Sequence, residues 1–138
     1  MNYSLNQMTT IAECDALLNT VRSEKSDLAY RQTTLNYQLE NKAEDSATFN
    51  AELNAATAEL ANLLPTLETM TEGPHKVDAI ERKMRLELRI FSMTNRADNY
   101  GIKAVLVREF DIARVEAQLT LADDLISQIE ARKVQLAS

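Results

Sequence analysis

Two side chains of this sequence could in principle do covalent or acid–base chemistry. They are Cys14, the one cysteine, and His75, the one histidine. A nucleophilic cysteine needs an electropositive, partly exposed setting and a neighbouring base. Cys14 instead sits between Glu13 and Asp15 and falls on an apolar helical face, where a small buried hydrophobe is expected. His75 follows Gly73-Pro74, a turn signal, and has no second histidine with which to complete a ligand set. That also removes the di-iron helical bundles, which require a Glu-x-x-His pair on each of two helices. Carboxylates are plentiful, but Glu52 and Glu59, or Asp123 and Asp124, fall on faces expected to be solvated. Paired acid–base carboxylates must face one another across a cleft. There is no glycine-rich phosphate loop, no Cys-x-x-Cys and no Gly-x-Ser-x-Gly. The expectation is a protein that is not an enzyme and carries neither cofactor nor metal.

A basic run, Lys76, Arg82, Lys83, Arg85, Arg89 and Arg96, is the feature that could meet a ligand. It could face the phosphates of nucleic acid or an anionic membrane. However, Asp78, Glu81 and Glu87 are interspersed, and no aromatic is placed to stack on bases. Charge along the chain explains the run better. Residues 1–75 hold 4 Lys/Arg against 11 Asp/Glu, a net of −7, and residues 76–108 hold 8 against 4, a net of +4. Residues 109–138 hold 3 against 6, a net of −3. An acidic segment followed by a basic one suits helices that flank each other. Pairing with Glu52, Glu59, Glu68 and Glu72 is the expected use of the run.

The elements that would position these groups are helices. Stepping alternately by three and four residues from Ile11 to Leu67 gives 17 landings, of which 12 carry an apolar side chain larger than Ala. Of the 40 residues skipped, only Leu17, Tyr30, Tyr37 and Leu64 do. A 3.5-residue period keeps one helix seam against a neighbour. With two Gly, two Pro and no Trp, the 138 residues hold few turn formers, so few, long helices follow. The spacing predicts helices over about 4–64, 74–98 and 102–136, in a single domain of residues 1–138.

Boundaries come from local signals. Ser4 with Gln7 is a candidate capping box, with Thr10 and Glu13 as the alternative start. Pro65 should end or bend the first helix, and Gly73-Pro74 is the clearest turn. Lys42 and Glu44-Asp45-Ser46 form the weakest part of the seam, and Asn99-Tyr100-Gly101 interrupts the return, with Asn99 or Gly101 expected in a left-handed conformation. Both interruptions lie almost equally far from Gly73, which suggests a shared hinge near residues 43–46 and 98–101. The fold class is therefore all-α: a long antiparallel coiled-coil hairpin, or a helical bundle folded at that hinge. The last helix should lie antiparallel to residues 4–42, because the seam there otherwise has no cover.

Apolar stripes are wider than one seam needs. The segment 74–98 carries Val77, Ile80, Met84, Leu88 and Phe91 beside a second set, Leu86, Ile90, Met93 and Ala97. The last helix likewise carries two, and Tyr30 and Tyr37 stand off the main seam. A second neighbour is implied, with a two-fold homodimer preferred. The functional expectation is a structural or protein–protein interaction module whose partner contacts include Tyr30, Tyr37, Arg82, Arg85 and Arg89. The alternatives are a small helical chaperone for one cognate protein and a weak polyanion binder through residues 76–96. No window is apolar enough to span a bilayer and no secretory signal is read at the start, so a cytoplasmic location is expected.

Overall fold

The computed structural model describes residues 1–138, which are all-helical with no strand. After a single 3-10 turn at Leu5–Gln7 come α1 (Ile11–Thr69), α2 (Pro74–Asn95), the one-turn α3 (Ala97–Tyr100) and α4 (Ile102–Ala137). The helices pack against each other, and none is long and apolar enough to cross a membrane. The chain divides into two compact units, Met1–Gln38 with Glu109–Ser138, and Leu39–Arg108.

In the first unit, α1 meets α4 running the other way. Asp15 pairs with Lys133 at 2.6 Å, Arg22 with Glu130 at 2.9 Å, and Lys25 with Asp123. As numbers rise on one helix they fall on the other, as the uncovered seam requires. Cys14, Leu18, Val21 and Ile129 form the core, with Leu5, Met8, Leu17, Ile126 and Leu136 packed around it. The polar seam residues Lys25 and Gln32 keep their stems half-buried while their heads reach Asp123 and Glu116.

In the second unit, α1 is paired with α2 by Glu59–Arg82 and Glu52–Arg89. Ser46, Phe49, Ala56, Leu86, Met93 and Val105 are buried there, and the Phe49 and Tyr100 rings stack with centroids 6.5 Å apart. Every residue of α1 that is buried (Cys14, Leu18, Val21, Leu35, Ser46, Phe49 and Ala56) is a landing of the 3.5-residue series.

Five boundary expectations are corrected. First, α1 starts at Ile11, not near residue 4. Ser4 makes no side-chain cap bond, and the carbonyls of Asn6 and Met8 accept hydrogen bonds from Arg132 on α4 instead of from their own helix. The Thr10–Glu13 start is the one used: the Glu13 amide donates to Thr10 Oγ1 at 3.2 Å and the Thr9 amide donates to the Glu13 carboxylate at 2.9 Å. Second, Pro65 lies inside α1, which continues to Thr69. Half-buried Leu63 and Leu67 on either side hold the helix through the missing amide.

Third, α1 is unbroken at residues 43–46, so there is no shared hinge and the chain does not fold back at that point. Ser46 and Phe49 are buried in the seam, and their packing outweighs the weak local sequence. Fourth, the return helix α2 stops at Asn95 rather than 98, and the turn of α3 stands between it and α4. Fifth, neither Asn99 nor Gly101 is left-handed. Gly101 is extended (φ −91°, ψ −171°) and buried. A Cβ there would lie 2.5 Å from the Ala97 carbonyl oxygen, so close approach requires the glycine. The positive φ belongs to Gly73, at +152°, immediately before Pro74 opens α2.

Candidate interaction surface

The groups considered for covalent or metal chemistry do not come together. Cys14 is fully buried in the first unit's core, so its thiol is closed to substrate. His75 is exposed in the first turn of α2, and no cluster of three or more His, Cys, Asp or Glu side chains could hold a metal ion.

Much of the basic run is engaged within its own unit. Arg82 and Arg89 reach Glu59 and Glu52 on α1, Lys76 reaches Glu72 at 2.8 Å, and Lys83 lies 3.7 Å from Glu87 on the same helix. Arg96 lies over the Tyr100 ring at 6.0 Å. Arg85 is exposed and forms no ion pair within the chain. Of the five side chains expected at a partner contact, Arg82 and Arg89 thus also serve the α1–α2 pairing, whereas Tyr30 and Tyr37 stand well out from α1 into solvent.

The apolar stripes sort more sharply. On α2 the set Leu86, Ile90, Met93 faces the core and is buried or half-buried. The set Val77, Ile80, Met84, Leu88 and Phe91 occupies the opposite side and is 42–67% exposed. Two methionines nine residues apart show the contrast: Met93 is 2% exposed and Met84 62%. In the first unit α4 behaves the same way, with Ile112, Val115 and Ile129 buried while Phe110 and Leu121 are exposed. Single exposed apolar residues are ordinary, whereas here five stand in one row on one helix face.

No protein family, curated protein or solved structure matches this chain. The surface therefore carries the functional reading by itself. Sequence reasoning named both α2 stripes but put the partner contacts on tyrosines and arginines. Which of the two would be left exposed was not legible, because period alone does not tell which of two apolar stripes the neighbouring helix covers.

Proposed function

We propose that this chain is a non-catalytic coiled-coil interaction module, in which one face of each long helix builds an antiparallel pair and the opposite face docks protein. The observation that supports this best is the exposed row on α2 opposite a buried one. Matching support comes from Tyr30 and Tyr37 on α1 and from Phe110 and Leu121 on α4, large apolar or amphipathic groups held out on rigid helices. Such groups are the usual anchors of helix-in-groove recognition. A reducing cytoplasm suits the free Cys14.

Affinity capture from the native host tests the reading. The wild-type chain retains a defined protein partner, and Tyr30→Glu/Tyr37→Glu loses it while far-ultraviolet circular dichroism is unchanged. Identical capture by the double variant would remove these tyrosines from the interface.

A chaperone reading draws on exposed Met84, although Met93 is buried. It requires the folded chain to bind an apolar dye through surface that stays exposed. A polyanion reading rests on Arg85, while Arg82 and Arg89 already face carboxylates. Retention on a polyanion column at about 0.15 M salt, abolished by Arg85→Glu, is its signature.

A further inference from the structure

We propose that the outer face of α2 is the contact for a second copy of this chain, with two α2 helices packed antiparallel about a two-fold axis at Met84. This rests on the docking-face reading above and names the occupant. The first ground is the symmetry of the row. Ile80 and Leu88 lie four residues either side of Met84, and Val77 and Phe91 lie seven either side. In an antiparallel two-fold pair each residue meets the one equally far on the other side of the axis. Leu88 then packs on Ile80 of the second copy, Phe91 on Val77, and Met84 on itself. The largest side chain is matched with the smallest, so the gap between the helices stays even along the row. A parallel pair would instead set Phe91 on Phe91 and Val77 on Val77, and would align the helix dipoles unfavourably.

Charge supplies the second ground. At 3.6 residues per turn, Glu81 and Arg85 lie ~60° and ~100° to one side of Met84, and Glu87 and Lys83 lie ~60° and ~100° to the other. In the antiparallel pair like flanks meet with heights reversed. Glu81 therefore faces Arg85 of the second copy, and Lys83 faces its Glu87. Glu81 and Arg85 have no ion partner within the chain, and together with Met84 they line a shallow depression at the axis. Lys83 and Glu87, 3.7 Å apart on their own helix, can bridge across the axis without losing that contact.

Area agrees. At roughly 200 Å² for each large apolar side chain, exposures of 42–67% over five residues amount to about 600 Å². The stems of Lys83 and Arg85 beside the row bring the face close to the ~800 Å² per partner of a standard stable interface. The core face of α2 is unaffected, because Leu86 and Met93 already lie against their own unit.

Sedimentation of the full chain at micromolar concentration should give a species of twice the 15.5 kDa chain mass. Met84→Glu sets two carboxylates against each other at the axis and should raise the dissociation constant by roughly 100-fold or more with helicity unchanged. Orientation is read by cross-linking: mild oxidation of Met84→Cys should yield a covalent dimer. A mixture of Val77→Cys and Phe91→Cys should cross-link to each other in preference to themselves. A chain that stays monomeric at 15.5 kDa overturns the proposal, as does a dimer insensitive to Met84→Glu or one in which Val77→Cys joins chiefly to itself. If the monomer still captures a partner through Tyr30 and Tyr37, this inference has failed and the docking reading has not.

Discussion

Ile129→Ala should lower the free energy of unfolding by about 2–5 kcal/mol, the range for truncating a fully buried aliphatic side chain. Ile129 has no exposed surface and belongs to the cluster formed with Cys14, Leu18 and Val21. That cluster lies among the ion pairs that register α4 on α1, so shortening the side chain leaves a void between two long helices. Long helices relax poorly around a local void, because closing it means moving whole turns and the pairs Asp15–Lys133 and Arg22–Glu130 with them. Those pairs are solvent-exposed and contribute only about 0–1 kcal/mol each, so they cannot compensate. Val134→Ala, on the same helix at 69% exposure, is the internal comparison and should change stability by no more than about 0.5 kcal/mol. Urea unfolding followed by circular dichroism reads both. Equal midpoints for the two variants would show that α4 does not pack on α1 through this face.

Gly101→Ala is the second large effect, and its cause is local. The added methyl would stand 2.5 Å from the Ala97 carbonyl oxygen, a backbone atom that already accepts the Gly101 amide at 2.7 Å. Relief requires the turn between α3 and α4 to open, which costs about 1–3 kcal/mol and should lower the melting temperature by roughly 4–15 °C. Gly73 makes an instructive contrast. Nothing lies within 4 Å of a Cβ there, but its φ of +152° lies in a region side chains avoid. One glycine is needed for space and the other for backbone angle. A melting temperature unchanged by Gly101→Ala would mean that the turn adjusts freely.

What could be read in advance follows from this division. The 3.5-residue series located the seam of α1 residue by residue, because burial along a helix pair is set by period and by little else. The antiparallel course of α4 followed from the need to cover that seam. Ends and interruptions were harder to place. Ser4 with Gln7 resembles a cap, but Arg132, more than 120 residues away in sequence, takes the carbonyls that a helix there would use. Lys42 to Ser46 looked like a weak point, yet Ser46 and Phe49 are buried and hold the helix through it. Pro65 is carried within α1 for the same reason. In each case packing outweighs a local preference, of about 1 kcal/mol for the cap and about 3 kcal/mol for the proline.

The exposed face of α2 was legible only in part. Two apolar stripes on residues 74–98 showed that α2 carries more apolar surface than one seam needs. Which stripe served the chain's own core depended on how α2 turns after Gly73 to place Arg82 and Arg89 beside Glu59 and Glu52. Once those pairs fix the rotation of the helix, Met93 points inward and Met84 outward.

That opposition is the central claim, and oxidative footprinting of the dilute chain tests it with two residues of one type on one helix. Hydroxyl-radical labelling read by mass spectrometry should modify Met84 many times faster than Met93. Equal rates at the two positions would contradict the account, because α2 would then have no face committed to its own unit and none left over for a partner.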